Sequence, residues 1–199
     1  MWEMRPATES GTAKRDAIVA RAAHLGSVEG LEGLTIGRLA RDLQMSKSGL
    51  FDYFGSKEEL QLATVERATQ TLRREVVEPA TAAMPGLERL RALLEGYLRY
   101  LERDVFPGGC FLAAAAAEFD GRPGAVRDAI AASMRAWGAE LQSHAEIAVR
   151  QGELPADTEP GQLVFELSSY TSRANSVYQL YGERSAFECA RLAITKALG

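Results

Sequence analysis

The chain has 199 residues, of which 46% are hydrophobic and 25% are charged, a composition that is ordinary for a globular protein and excludes a disordered one. Its formal net charge of −4 excludes a globally basic nucleic-acid-binding protein, so any contact with nucleic acid has to come from a local patch. No apolar run approaches the roughly 18 residues of a membrane-spanning helix.

The start of the chain and its cysteines indicate the compartment. Residues 1–6 contain no apolar core before a cleavage site, so we expect no secretory signal, and we interpret residues 1–11 as a flexible arm. Cys110 and Cys189 are far apart, and neither has a His or Cys neighbour at metal-ligand spacing. This usage predicts a cytoplasmic protein with neither a disulfide nor a metal site, and we expect no cofactor.

Helical periodicity runs through almost the whole chain, and no stretch shows the alternation of a β-strand. Glycine and proline clusters separate the periodic stretches. The helices become longer after residue 57, which predicts a first domain over residues 12–56 and a second over residues 57–199. We predict an all-α fold with nine helices, at residues 12–26, 36–43, 47–53, 57–78, 87–103, 110–119, 124–150, 160–180 and 184–198.

The segment 35–57 is predicted to form two short helices joined by a tight turn. Thr35 is placed to cap the first helix and Ser46 to cap the second. Ser56, with Glu59 three residues later, forms a capping box that starts the next helix. The residues expected to be buried are Ile36, Leu39, Ala40 and Leu43 in the first helix and Leu50 and Phe54 in the second.

The opposite side of the second helix is polar. It carries Ser48, Gly49 and Asp52, and Lys47 lies near the helix N-terminus. Across the segment 35–57, four basic residues stand against two acidic ones, which makes a modest positive patch. Two short helices with small polar groups at the start of the second form the geometry that seats a helix in the major groove of DNA. The alternative is a helical hairpin within an ordinary bundle.

The motifs of this segment resemble the N-terminal domain of the TetR/AcrR family of transcriptional regulators. They are Thr-x-x-x-Leu-Ala, a turn that ends in serine, an aromatic pair and Phe-x-Ser-Lys-Glu-Glu-Leu. The resemblance covers about residues 12–62 and is most specific from Ser46 to Leu60, while Gly108–Leu112 and Gly152–Leu154 resemble stretches of some members. It implies a homodimeric repressor that binds a palindromic operator in double-stranded DNA and is released by a small apolar or aromatic ligand.

The resemblance also implies which residues contact DNA, since phosphate contacts set the register and base contacts set the sequence preference. The residues expected at phosphate oxygens are Thr35, Tyr53 and Lys57. Those expected at base edges or the backbone are Lys47, Ser48 and Gly49, and Ser46 belongs to the same DNA-binding set.

Two residues depart from the family pattern. Gln44 stands where the family usually has a glycine in the turn, and a positive φ there would cost a glutamine roughly 1–2 kcal/mol. Asp52 puts a carboxylate on the recognition helix, where it repels phosphates unless it accepts from a cytosine amino group or turns away.

The C-terminal helices are implied to enclose a ligand pocket. His144, Asn175 and Tyr178 would orient the ligand there through their polar atoms. The alternative for an apolar stripe is ordinary core, and His144 on such a stripe fits a core histidine with a local partner better than a metal ligand or catalyst. The candidate apolar lining is Leu72, Val76, Leu94, Tyr97, Phe111, Phe119, Met134 and Trp137.

The last two helices of each subunit are implied to form a four-helix dimer interface. Repeated aromatic side chains with small residues between them suit such a packed interface. The alternative is that some of these residues face the subunit's own core. The candidates are Leu163, Leu167, Tyr170, Ala174, Val177, Tyr181, Phe187, Ala190, Ile194 and Leu198.

Other interpretations stay open at this point. Cys110 opens the sixth predicted helix, where a helix N-terminus would lower its pKa, but a buried structural thiol is the preferred interpretation over a redox sensor. An all-helical enzyme that uses the C-terminal cavity is the second functional class, although no nucleophile–base pair, metal spacing or phosphate-binding glycine loop is visible. A third is an interaction bundle without DNA binding, which Gln44 and Asp52 alone favour.

Overall fold

The computed structural model describes residues 9–199, and this part of the chain is all-α, as predicted, with no strand. With α4 counted as one helix of three segments, it has the nine helices expected from the sequence. Of the predicted arm, residues 1–8 lie outside the described part, and α1 already begins at Glu9. The helices are α1 (Glu9–Glu29), α2 (Ile36–Asp42), α3 (Lys47–Phe54), α4 (Lys57–Leu72, then the π-helical Arg73–Val77 and the α-helical Glu78–Ala80), α5 (Leu87–Glu102), α6 (Phe111–Phe119), α7 (Ala125–Arg150), α8 (Pro160–Tyr181) and α9 (Ser185–Leu198).

Hydroxyl side chains start three successive helices, as the sequence predicted. Thr35 Oγ1 accepts from the backbone N–H of Arg38, and Ser46 Oγ accepts from that of Gly49, each at 3.1 Å. Ser56 Oγ accepts from the N–H of Glu59 at 3.1 Å. All three capping residues have extended backbones, so each one both ends the preceding turn and begins its helix.

The N-terminal unit is built on α1 and the first part of α4, which pack against each other. Leu39 of α2, together with Leu50 and Phe54 of α3, is buried in the core of this unit. Leu60 of α4 is fully buried beside them. Because α2 and α3 have only 7 and 8 residues, this packing rather than intrinsic helix stability holds them in place.

The C-terminal unit is arranged around α7. This helix contacts α4, α5, α6 and α8, and α8 forms an antiparallel hairpin with α9 that closes at Gly182. Gly182 has a φ of 72° and ends α8 in the left-handed conformation. Helix α4 contacts both α1 and α7, and α1 also contacts α6, so the two units share a core through both sets of contacts.

The turn between α2 and α3 has the strain expected from its sequence. Gln44 has a φ of 54°, in the region that favours glycine. The next residue, Met45, donates its N–H to the carbonyl oxygen of Ala40 at 2.9 Å, which satisfies the end of α2. The geometry of the turn is therefore intact, and Gln44 carries its conformational cost.

We expect Gln44→Gly to raise the free energy of unfolding by about 0.5–1 kcal/mol. Removing the Cβ relieves the left-handed strain, and the greater freedom of glycine in the unfolded chain offsets part of this gain. Gln44→Ala keeps a Cβ and is the matched control, for which no gain is expected. Urea denaturation measures both variants, and a glycine variant no more stable than the alanine variant contradicts the strain assigned to Gln44.

Candidate nucleic-acid interface and effector region

Helix α3 presents a polar face outward while its apolar face is buried. Leu50 and Phe54 lie in the core, as predicted from their spacing. Ser46, Lys47, Ser48 and Asp52 are exposed, whereas Gly49 and Tyr53 are half-buried. A Cβ at Gly49 would stand 3.0 Å from Ser46 Oγ, so the glycine leaves the capping oxygen room to accept its hydrogen bond.

Phe51 is an exposed aromatic residue on the same helix that the sequence analysis did not select. Its side chain is 54% exposed. Leu50 and Phe54 define the buried face, and Phe51 lies about 100° around the helix from Leu50. A helical projection of these three residues is the signal that would have found it.

Ion pairs neutralise part of the predicted basic patch. Arg21 of α1 binds the carboxylate of Asp42 through two hydrogen bonds of 2.6 and 2.9 Å, and this pairing holds the pKa of Asp42 below its usual range. Arg38 pairs with Glu29 and lies 3.7 Å from Asp42. Within residues 11–199, the exposed Arg41 and Lys47 have no carboxylate partner. These two side chains are therefore the available cations of the patch.

Lys57 is held by a carboxylate of the α1–α2 turn. Its Nζ donates to Glu32 Oε1 at 2.8 Å, and this hydrogen bond is the main cause that lowers the pKa of Glu32. Arg122, after α6, lies 3.5 Å from the other oxygen of Glu32. Gln61 donates to the same oxygen at 3.4 Å. A DNA phosphate would have to compete with Glu32 for the Lys57 ammonium group.

Glu118 of α6 anchors this turn from the C-terminal unit. Its two carboxylate oxygens accept from the backbone N–H groups of Leu31, at 2.7 Å, and Glu32, at 3.0 Å. Gly30 has a φ of 83°, and a Cβ there would stand 2.8 Å from Glu118 Oε1. Gln61 donates to the carbonyl oxygen of Leu31 at 2.9 Å. Helix α6 is thus bonded directly to the residue that holds Lys57.

A second link joins α1, the loop before α6 and α8. Gly108 donates its N–H to Ser27 Oγ at 3.3 Å, and a Cβ at Gly108 would overlap the carbonyl oxygen of Ser27. Two residues later, the N–H of Cys110 donates to Asn175 Oδ1 at 3.2 Å. The side-chain carbonyl of Asn175, predicted to orient a ligand, is used to hold this loop.

Most of the predicted ligand-lining residues pack within the bundle. Trp137 is half-buried, with its ring centroid 5.5 Å from that of Tyr97. Phe119 and Met134 line a groove of ≈ 300 Å³ between α6 and α7, and Met134 is exposed at its edge. The buried members of the set are Leu72, Val76, Leu94, Tyr97, Phe111 and Phe119.

The polar candidates differ in whether their atoms have partners. Tyr178 donates its hydroxyl to Asp104 Oδ2 at 3.0 Å, so this group is used at a helix junction. His144 is buried on α7, with Nε2 3.5 Å from Glu140 Oε1. Its Nδ1 has no hydrogen-bond partner in the described part of the chain. Of the three predicted polar residues, His144 is therefore the one with an unsatisfied buried atom.

The cysteines occupy different environments. Cys110 is fully buried at the start of α6, and burial raises the pKa of its thiol, which supports a structural role over redox sensing. Cys189 is exposed on α9.

Among the residues that the structure describes, no three His, Cys, Asp or Glu side chains come together as a metal site. The described helices also include none with the length and apolarity to cross a membrane.

The predicted dimer residues divide into core and surface. Tyr170 and Val177 are half-buried, and Tyr181 is exposed. Ala174 and Ala190 are buried at the floor of a groove of ≈ 390 Å³ between α8 and α9. The remaining five side chains are buried in the single chain, and their expected place at a dimer interface stays a prediction; they are Leu163, Leu167, Phe187, Ile194 and Leu198.

Comparisons with known proteins cover nearly the whole chain. Residues 18–64 match the family model of bacterial regulatory proteins, tetR family, and residues 86–194 match that of the tetracyclin repressor-like C-terminal domain. A comparison with the curated proteins found no match.

Solved structures share the fold at low sequence identity. A TetR transcriptional regulator from Chloroflexus aurantiacus J-10-FL superposes with a TM-score of 0.84 at 22% identity, over 95% of this chain and 96% of that one. A TetR-family regulator from Agrobacterium tumefaciens gives 0.82 at 18% identity, over 94% and 98%. AibR, solved in complex with isovaleryl coenzyme A and operator DNA, gives 0.76 at 20% identity, over 93% and 98%.

We expect Glu118→Ala to lower the free energy of unfolding by about 2–3 kcal/mol, because two backbone N–H groups lose a charged acceptor. Glu118→Gln keeps one carbonyl acceptor and should lose less. Glu66→Ala, which removes an exposed carboxylate bonded only to Gln70, is the control. Urea denaturation measures all three, and equal losses for Glu118→Ala and Glu66→Ala would contradict the anchoring role of Glu118.

Proposed function

Because the chain belongs to the TetR family of bacterial regulatory proteins, we propose that it is a repressor that binds a palindromic operator as a cytoplasmic homodimer and leaves it when a small apolar or aromatic ligand binds. The observation that carries the proposal is α3, capped by Ser46 and exposing Lys47, Ser48 and Asp52 over a buried apolar face. This surface has the size and polarity of a helix that enters a major groove.

The proposed DNA contacts combine the family expectation with the geometry of this chain. Lys47, Ser48 and Gly49 face base edges or backbone, and Arg41 adds a cation to the patch that they form. Phe51 extends this surface with an apolar group suited to a thymine methyl. The remaining contacts, Thr35, Tyr53 and Lys57, are to phosphates. In a twofold dimer the two α3 helices would lie about 34–36 Å apart, one turn of B-DNA.

The proposed dimer surface is the outer face of the α8–α9 hairpin. Tyr170, Val177, Ala186 and Ala193 line the groove between the two helices, over the small residues at its floor. Large apolar side chains exposed by a monomer commonly mark a subunit interface. Those on these two helices are Phe165, Leu180, Tyr181 and Leu192.

The proposed effector region is the groove between α6 and α7, together with the core beneath it. Phe119 and Met134 supply apolar surface, and Asp120 and Arg127 are the polar residues that line the groove. His144, ten residues beyond Met134 on α7, lies about 15 Å further along the helix and outside this groove. A ligand that moves α6 acts on Glu118, and therefore on the turn that holds Lys57. A coupling of about 1–3 kcal/mol corresponds to a roughly 5–150-fold change in operator affinity.

The proposal is tested by fluorescence anisotropy with duplexes from the DNA that flanks the gene. Lys57→Ala should weaken binding about tenfold on every duplex, with a shallower dependence on salt. Glu32→Gln should strengthen binding severalfold in the wild-type background and have no effect beside Lys57→Ala, because it acts by releasing that lysine. Arg73→Ala, on the exposed side of α4, is the control. Binding to no flanking duplex, or binding insensitive to salt, contradicts the proposal.

We expect Ala193→Glu to weaken dimerisation by roughly 100-fold or more, because it would bury a carboxylate in a mostly apolar groove that already contains Glu183. Met84→Glu, at an exposed apolar residue outside α8 and α9, is the matched control and should leave the dimer intact. Sedimentation velocity over a range of concentrations measures both. A wild-type monomer, or an Ala193→Glu dimer as tight as the control, contradicts this interface.

A further inference from the structure

A second pocket lies where α1, α4 and the loop between α5 and α6 meet. It has a volume of ≈ 250 Å³ and is separate from the groove between α6 and α7. Three of its side chains, His24, Arg67 and Arg74, carry nitrogen donors, and none of its lining residues is acidic. In a protein with a net charge of −4, such a lining is a local reversal of sign. The other lining residues are Ala20, Ala23, Thr71, Val105 and Phe106.

Arg67 is the lining residue with the most unused binding capacity. It is half-buried on α4, and its guanidinium makes no hydrogen bond or ion pair with any residue of 11–199. A smaller pocket that also contains Arg67 is lined by Asp16 and Glu66. Neither carboxylate lies within 4.0 Å of the Arg67 guanidinium nitrogens. No side chain of residues 11–199 therefore occupies the guanidinium N–H donors of Arg67, which can bind a ligand.

The neighbours of Arg67 complete a site for a small anion. Arg74, one helical turn beyond Thr71, lies at the rim, where its Nε and Nη2 donate to Glu75 Oε1 at 3.2 and 3.1 Å and Nη1 has no partner among residues 11–199. The His24 ring meets the edge of Phe106, with centroids 5.6 Å apart, so it is held against the loop. The Thr71 hydroxyl donates to the carbonyl oxygen of Arg67, which fixes its orientation beside the pocket.

We propose that this pocket binds a small oxyanion, a carboxylate or phosphate group, on the guanidinium of Arg67. The planar fork of arginine matches two oxygens of either group. A halide offers no such pair of acceptors, so we expect the site to prefer an oxyanion to a halide. His24 on α1 and Arg74 on α4 contact the remaining oxygens. The bound anion would therefore connect the two helices.

The location gives the anion a route to the DNA-binding unit. The carbonyl oxygen of His24 accepts from Ser27 Oγ at 2.8 Å, and the same Oγ accepts from Gly108. An anion between His24 and Arg67 braces α1 against α4 beside this link. Its effect on operator affinity rests on the proposed function, whereas its binding does not.

Thermal unfolding in sodium phosphate, sodium malonate and sodium chloride at matched ionic strength tests the site. At an anion concentration about ten times the dissociation constant, the midpoint of the wild type should rise by roughly 3–6 °C. Arg67→Gln should abolish the saturable part of this rise and leave only the general stabilisation by excluded salts. Arg73→Gln, at an exposed neighbour that does not line the pocket, should behave as the wild type.

An Arg67-dependent rise with phosphate or with malonate supports the site and identifies which oxyanion it prefers. The proposal is overturned if neither anion exceeds chloride, or if Arg67→Gln and Arg73→Gln respond alike. Circular dichroism confirms that each variant is folded, and His24→Ala provides a second test from the opposite wall. Anisotropy with and without the anion then measures the coupling to DNA. Because the thermal measurement needs no DNA, anion binding is tested even if the protein binds no operator.

Discussion

The placement of the short helices depends on one carboxylate, that of Glu118, which accepts hydrogen bonds from two consecutive backbone N–H groups in the α1–α2 turn. Helices of 7 and 8 residues do not hold themselves in water, so α2 and α3 take their position from the turn before them and from packing on α1 and α4. The same turn carries Glu32, which holds Lys57 at the start of α4. A structural bond of the C-terminal unit therefore fixes the position of a candidate phosphate contact.

Features governed by neighbours within about four residues could be predicted from the sequence. The three hydroxyl caps, the burial of Leu50 and Phe54 and the positive φ at Gln44 all follow from local spacing and backbone sterics. The pairing of Arg21 with Asp42 and that of Glu118 with the turn join residues 21 and more than 80 positions apart. The π-helical turn of α4 was also not predicted, although Pro79 just beyond it, which has no backbone N–H for the α-helical ladder, marks the place where the helix is irregular.

The C-terminal site was harder to predict for a different physical reason. An apolar stripe on a helix shows which side is buried. It does not show whether that side is buried by the same chain, by a ligand or by another subunit. On α8, Leu167 is buried within the chain while Tyr170, three residues later, lies at the edge of an open groove. Polar residues were ambiguous in the same way, since Asn175 and Tyr178 bind other parts of the protein, whereas Nδ1 of His144 has no partner in the described part of the chain.

The close approach of Gly108 to Ser27 limits how this sequence can diverge. Even a methyl group at position 108 would overlap a backbone carbonyl oxygen, and backbone cannot rotate away as a side chain does. Side chains line the groove between α6 and α7, the proposed effector region, so single substitutions there can accumulate one at a time. The loop at Gly108 can change only together with α1. The residues of the proposed effector region and the loop that connects to the DNA-binding unit are therefore under separate evolutionary constraints.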